Sequence, residues 1–159
     1  MKHLLMIIGC LFAFSVTGQK EVVSAYNANK DGDYRAASTY IEQAILIEKS
    51  NTKDKTWRYR GDIYLNISRD TSLTMEYPNA LRISMESYLK AKELDLKKRY
   101  EDEIMFGLNQ VQIGANGKGI SYYNTTTFDL AATSFDLAAE IARTFEIVDT
   151  MAVYNAALC

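Results

Sequence analysis

A pattern of small and large side chains recurs three times in this chain, at intervals of 47 residues. In each copy a large residue follows a small one by four positions and precedes another small one by three, which places all three on one face of a helix. The pattern consists of Ala37, Ile41, Ala44, Ser84, Tyr88, Ala91, Ala131, Phe135 and Ala138. Small side chains let a neighbouring helix approach closely and the large one fills the remaining gap, so the pattern predicts repeated, closely packed helices.

The rest of the sequence also favours helices. From Glu21 onward apolar residues recur at spacings of three and four, strand signals are nearly absent, and Pro78 is the only proline. We predict an all-α fold, with Pro78 in the first turn of its helix. The predicted helices cover residues 20–30, 34–49, 54–68, 78–96, 98–123, 127–146 and 149 to the end.

Each of the three patterned helices follows a partner helix with its own small and aromatic residues. These are Ala25 and Ala28 in the first pair, Trp57, Gly61 and Tyr64 in the second, and Gly119 and Tyr122 in the third. In these positions the chain resembles the tetratricopeptide repeat, whose helix A carries Trp, Gly and Tyr and whose helix B carries Ala, an aromatic residue and Ala. The turn at residues 32–34 and Asp95 at the end of the second pair match the family as well.

The resemblance covers residues 20–145 and implies an α-solenoid of stacked helix-turn-helix repeats. Its units would be about 20–50, 54–96 and 98–146, followed by a partial fourth at 149–159. The period of 47 exceeds the usual tetratricopeptide length of about 34 residues. A polar insert at 68–77 accounts for the difference in the second unit, and a helix A lengthened toward its start does so in the third. HEAT-type helical pairs, whose period is in the forties, are the alternative architecture.

The first eighteen residues match a bacterial secretory signal peptide. Lys2 and His3 precede an apolar stretch from Leu4 to Phe14, which is too short to span a bilayer, and small residues follow before Gln19. We therefore expect an exported protein, periplasmic or secreted, that is cleaved after Gly18. In a second interpretation, Cys10 ends a lipobox and carries a lipid anchor.

Composition disfavours catalysis. His3 is the only histidine and lies in the predicted signal peptide, so the mature chain would lack histidine-based acid/base chemistry and His/Cys zinc sites. The acidic run at residues 101–103 cannot share one helix face, and we interpret it as the first turn of a helix. We expect no enzyme activity, cofactor or metal. With 18 basic and 20 acidic residues, the net charge of −2 also argues against a nucleic-acid partner.

The family resemblance implies a concave groove lined mainly by the A helices, which binds a protein or peptide partner. The corresponding positions in this chain are Tyr26, Asn29, Lys30, Lys55, Arg58, Asp62, Leu65, Asn66, Asn116, Ile120, Tyr123 and Asn124. An asparagine recurs near the end of each A helix. Its amide could hold a partner's backbone, or it could simply end the helix before a turn. Val22 and Tyr26 occupy two places of the lysine and asparagine clamp of some family members, so that clamp is not predicted.

The last predicted helix is apolar nearly all round, and repeat stacks normally end in a polar cap. We therefore expect either a continuation of the chain or a second copy of it to cover this end. The favoured function is a non-catalytic binding scaffold of the bacterial envelope or secreted space. The alternatives are the N-terminal repeat module of a longer enzyme or envelope-assembly protein, and a carrier of an apolar ligand.

Overall fold

The computed structural model describes residues 19–159, and the regular secondary structure in this part of the chain is entirely helical. Helix α1 covers residues 19–30. The helices after it are α2 (Tyr34–Ile45), α3 (Glu48–Asn51), α4 (Asp54–Arg69), α5 (Ala80–Leu94), α6 (Glu101–Asn124), α7 (Phe128–Thr144) and α8 (Thr150–Leu158), with one 3-10 turn at Thr71–Leu73. The predicted all-α fold class is confirmed. The predicted signal peptide, residues 1–18, and the lipobox Cys10 lie outside the described residues.

The helix predicted over residues 34–49 starts at Tyr34 as expected but ends four residues early, because the chain leaves the helical path after Ile45. Ile47 is extended, with φ −97° and ψ 115°. The Asn51 side chain donates from Nδ2 to the Ile45 carbonyl oxygen at 2.7 Å, and the Trp57 indole donates to the Asn51 carbonyl oxygen at 2.6 Å. The Asn51 amide thus takes the place of the backbone N–H that a longer helix would have supplied to Ile45.

The segment before α5 packs against the first helices instead of projecting into water. Helix α5 begins at Ala80, and Pro78 lies in the turn before it instead of in its first turn. Within the insert Leu73 is buried, and the Tyr77 hydroxyl forms a hydrogen bond of 3.1 Å with the hydroxyl of Ser38 in α2. The insert predicted as polar therefore contributes to the core.

Most helix packing joins elements that are close in the chain. Helix α2 packs on α4, α4 on α5 and α6, α5 on α6, α6 on α7, and α7 on α8. The buried apolar residues form two clusters, of which one joins α1, α2, α4 and the start of α5, and the other joins α4 to α8. Each of these helices is therefore held mainly by the elements just before and just after it.

The recurring pattern forms the buried face of three helices, since all nine of its residues are buried. The ring of Tyr88 in α5 lies between α4 and α6, where Gly61 and Gly107 leave room for it. A Cβ atom on Gly61 would lie 2.8 Å from ring carbons of Tyr88. Phe135 of α7 packs in the same way on Gly119 of α6, where a Cβ atom would lie 2.6 Å from its ring. Two aromatic rings thus set the spacing of helices α4 to α7.

Helix α6 packs on helices of two successive pairs, α5 before it and α7 after it. It is 24 residues long and begins at Glu101, which confirms the predicted lengthening toward its start. The acidic residues 101–103 form its first turn, as predicted. Its N-terminal half, with Gly107, packs on α5, and its C-terminal half, with Gly119, packs on α7.

Helix α8 packs on α7 but leaves most of its apolar residues exposed. Among the described residues of α8, Ala152 alone is buried, while Met151, Tyr154 and Leu158 are exposed. The described part of the chain therefore leaves apolar surface uncovered at this end, as the sequence predicts.

Asp149 fixes the start of α8. Its carboxylate accepts a hydrogen bond from the Ala152 backbone N–H at 3.0 Å and another from Gln112 Nε2 of α6 at 3.0 Å. The first bond is an N-terminal helix cap, and the second ties α8 to α6.

Replacing Gly107 by alanine should destabilise the fold by about 1–3 kcal/mol or more, because the added methyl group would overlap the Tyr88 ring. Gly117 lies in the same helix and faces open space, so Gly117→Ala is the matched control. The control should stabilise the fold by up to about 1 kcal/mol, since alanine favours helix. Urea unfolding followed by circular dichroism measures both free energies, and equal effects of the two substitutions would contradict the packing described here.

Asp149→Ala should weaken the fold most at neutral pH. Hydrogen bonds, chiefly that from the Ala152 backbone N–H, lower the pKa of Asp149 below its ordinary 3.8. A carboxylate whose folded-state pKa is lowered stabilises the fold above its unfolded-state pKa and stops doing so as the pH falls through the folded value. We expect the substitution to lower the free energy of unfolding by about 1 kcal/mol at neutral pH and by much less in acid. Unfolding curves at both pH values test this, and a pH-independent loss would refute it.

Candidate functional site

Helices α1 and α4 contribute to the linings of two neighbouring cavities, and α6 contributes to the first of them. The first, here called the central cavity, has a volume of about 530 Å³. Its lining consists of Asn29, Arg58, Asp62, Leu65, Asn66, Arg69, Tyr88, Asp102, Glu103, Phe106, Gly107 and Gln110. The contributions of α4 recur at three and four, so they share one helix face. The second, called the tyrosine cavity, has a volume of about 540 Å³ and includes Tyr26, Tyr59 and Tyr100 in its lining.

The structure distributes the twelve residues of the predicted groove over several places. Five of them line the central cavity, namely Asn29, Arg58, Asp62, Leu65 and Asn66. Tyr26 and Lys55 line the tyrosine cavity. Ile120 and Tyr123 line a third cavity of about 190 Å³, together with Asn155 and Leu158 of α8.

The remaining three residues of the predicted groove line none of these cavities. Lys30 and Asn124 are exposed at the ends of α1 and α6. Asn116 is half-buried, and a hydrogen bond from its side chain contributes to lowering the pKa of Asp149. The predicted residues of α6 therefore do not join those of α1 and α4.

The early start of α6 explains this distribution. Because Gly107 meets Tyr88, the N-terminal half of α6 faces α4, and Asp102, Glu103, Phe106 and Gln110 reach the central cavity. Sequence reasoning missed these four residues. Gly107 could have indicated them. It is a second glycine on α6, in addition to Gly119 of the repeat pattern, and so marks a second place where an aromatic ring can pack.

Two of the recurring asparagines are bonded to each other across the central cavity. Asn66 Nδ2 of α4 donates to Asn29 Oδ1 of α1 at 3.0 Å. No other group among residues 19–159 forms a hydrogen bond with the side-chain NH2 of Asn29 or with the side-chain carbonyl oxygen of Asn66. These two groups can therefore bind a ligand. One donor and one acceptor side by side match the hydrogen-bonding groups of an extended peptide backbone.

Asp62 contributes a half-buried carboxylate to the central cavity. The Tyr88 hydroxyl donates to its Oδ1 at 2.7 Å, and Arg58 Nη1 lies 3.3 Å from its Oδ2. Burial raises the pKa of Asp62, while the Tyr88 hydrogen bond and the charge of Arg58 oppose this rise. Burial, the negative charge of Asp62 and the same hydrogen bond raise the pKa of Tyr88 far above that of a free tyrosine.

Arg58 lies between the two cavities and contacts groups of both. Its guanidinium carbon lies 4.8 Å from the centre of the Tyr59 ring and 5.0 Å from that of Tyr100, so its charge contacts both aromatic faces. Its Nε atom is buried and has no hydrogen-bond partner among the described residues. Arg58 thus joins the carboxylate of the central cavity to the aromatic lining of the tyrosine cavity.

The site provides groups for recognition. Charges of both signs surround the central cavity, and Phe106 exposes 66% of its surface beside them. Residues 19–159 contain no group of three or more histidine, cysteine or acidic side chains that could hold a metal ion. A cavity of this kind can hold a ligand by paired backbone hydrogen bonds, ion pairs and one apolar contact.

Comparison of the chain with models of protein families, with curated proteins and with solved structures finds no match. Within residues 19–159 no helix is both long enough and apolar enough to cross a membrane.

Tyr88→Phe should raise the pKa of Asp62 further, because the lost hydroxyl donates to the ionised carboxylate. A titration of the side-chain carboxyl carbons by NMR measures this shift. Wild-type Asp62 should titrate above 3.8 and the variant higher still. Asp70 is the internal control, since hydrogen bonds from Ser72 lower its pKa and the substitution leaves them intact.

The same variant has a consequence for stability. A carboxyl whose folded-state pKa is raised makes the fold less stable as the pH rises from the unfolded-state pKa through the folded one. Tyr88→Phe should extend that pH range and lower the free energy of unfolding by about 1 kcal/mol at neutral pH. An unchanged Asp62 titration would show that the hydroxyl does not bond to this carboxylate in solution.

Proposed function

We propose that this chain is an exported bacterial scaffold of the tetratricopeptide type, which binds a peptide or helix of another envelope protein. The partner lies along α4 in the central cavity, between α1 and α6. The observation that carries the proposal is the Asn29–Asn66 pair beside Arg58, Asp62 and Phe106, because these groups together suit an extended peptide.

The order of helix packing supports a stacked-repeat architecture. Helices α1 and α2, α4 and α5, and α6 and α7 would be the three repeat units, with α8 beginning a fourth. Within this scheme α2, α5 and α7 each pack on the first helix of the next unit, as stacking requires. The first helices α4 and α6 also pack on each other, which brings their exposed faces together beside the central cavity.

The charged residues in the lining of the central cavity support a peptide over an apolar ligand. Arg58, Asp62, Arg69, Asp102 and Glu103 all contribute to its lining, and burying an apolar molecule against them would remove water from charged groups without giving them new partners. A peptide can pair with such groups through its own backbone and side chains.

Export rests on residues 1–18. Their charged start, apolar stretch and small residues before Gln19 match a signal peptide, and the partner would then be a protein of the periplasm or of the secreted space.

Selection of random peptides displayed on phage against the purified protein tests the proposal. Selected peptides should lose affinity on the order of tenfold with Asn66→Ala or Phe106→Ala, since each removes a contact of about 1–2 kcal/mol. Titration calorimetry with a synthetic copy of the best peptide measures the change.

Glu86→Ala is the matched control, because Glu86 is exposed on α5 and lines neither cavity. The control should bind as the wild type does, and circular dichroism should show equal helix content in all three variants. The proposal fails if no peptide is enriched, or if the cavity variants bind every selected peptide with unchanged affinity.

A further inference from the structure

The tyrosine cavity combines an aromatic floor with a basic rim. The rings of Tyr26 in α1 and Tyr59 in α4 are 4.9 Å apart at their centres and tilted by 31°, and Tyr100 lies close by, just before α6. Val22 and Val23 add apolar surface from α1. Aromatic and aliphatic side chains together can bury an apolar anchor of a ligand.

The rim carries an excess of positive charge. Lys49, Lys53 and Lys55 are exposed, and none of them forms a salt bridge with a carboxylate in the described chain. The fourth basic residue, Arg99, is paired with Asp54 at 2.7 Å. Asp54 is the one acidic residue in the lining, so three positive charges remain uncompensated in a chain whose net charge is −2.

We propose that the tyrosine cavity binds an acidic segment of the partner protein, in which an aromatic or large aliphatic side chain is flanked by aspartate or glutamate. The anchor side chain packs on Tyr26 and Tyr59, and the flanking carboxylates pair with Lys53 and Lys55. This inference rests on the proposed function, since Arg58 joins the cavity to the central cavity and one peptide can run along α4 through both.

Charge complementarity favours an acidic peptide over a nucleic acid. Lysines beside exposed tyrosines could also suit a single strand, whose bases stack on aromatic rings. The neighbouring central cavity carries Asp62, Asp102 and Glu103, which would repel the phosphates of a strand that continues along α4. A peptide can change its charge from residue to residue and so match both cavities.

The peptides selected on phage against the full chain test this inference by their composition. Enriched sequences should carry a net negative charge and an aromatic or large aliphatic residue between acidic ones. Binding of a synthetic copy should weaken as the salt concentration rises, because the rim lysines are exposed to solvent.

Charge reversal locates the contact. Lys53→Glu with Lys55→Glu should lower the association rate of the acidic peptide on the order of tenfold at low salt. The matched control is Lys92→Glu with Arg143→Glu, which changes the net charge equally at exposed positions of α5 and α7 outside both cavities. Glutamate near the start of α4 suits the helix dipole, so the cavity variant should fold.

Removal of the anchor contact gives a second readout. Tyr26→Ala should speed dissociation of the peptide, while Tyr40→Ala, at an exposed tyrosine of α2 outside both cavities, should leave it unchanged. Surface plasmon resonance measures both rates.

The outcomes separate this inference from the proposed function. Enriched peptides that are not acidic, or that bind the Lys53/Lys55 variant as well as the wild type, would overturn the inference; if they still depend on Asn66 and Phe106, the proposed function stands. Displacement of the peptide by an oligothymidine strand would overturn the choice of a peptide for this cavity. Failure to enrich any peptide would overturn both proposals.

Discussion

The ring of Tyr88 between Gly61 and Gly107 is the contact on which the middle of this molecule depends. It lies where α4, α5 and α6 meet, and a Cβ atom on either glycine would overlap the ring. The Ser84 hydroxyl donates to the Gly61 carbonyl oxygen at 2.8 Å and holds α5 against α4 one turn away. Since α4 and α6 both line the central cavity, the width of that cavity is set by a residue of the core.

The same tyrosine also links the core to the candidate site. Its ring packs on the glycines, while its hydroxyl donates to Asp62, which in turn lies beside Arg58. Arg58 contacts the faces of Tyr59 and Tyr100. A chain of adjacent contacts therefore runs from the buried centre of the fold through the central cavity to the tyrosine cavity, and a shift of α5 would change the electrostatics of both.

Much of the fold could be predicted because helix packing leaves a local trace in the sequence. The small and large residues at spacings of four and three identified the buried faces of α2, α5 and α7, and all nine of those residues are buried. The end of α2 after Ile45 was missed, because it depends on hydrogen bonds from the side chains of Asn51 and Trp57 that no periodic pattern predicts. Of the predicted groove positions, five on α1 and α4 line the central cavity and those on α6 do not join them, because spacing along one helix does not fix which neighbouring helix it faces.

The helical class, the buried faces of the helices and the lengthened start of α6 follow from the order of residues alone. Each leaves a pattern among residues a few positions apart on one helix. The sequence alone does not determine which turn of α6 faces α4. Gly107 and Gly119 both accept an aromatic ring, and the tertiary structure decides which ring each one meets. The tyrosine cavity likewise needs Tyr26, Tyr59 and Tyr100, which are far apart in sequence and share no spacing that marks them as neighbours. They meet because α1 packs on α4 in one buried cluster and the Tyr88 ring sets the distance between α4 and α6, and such long-range distances are set by packing in three dimensions.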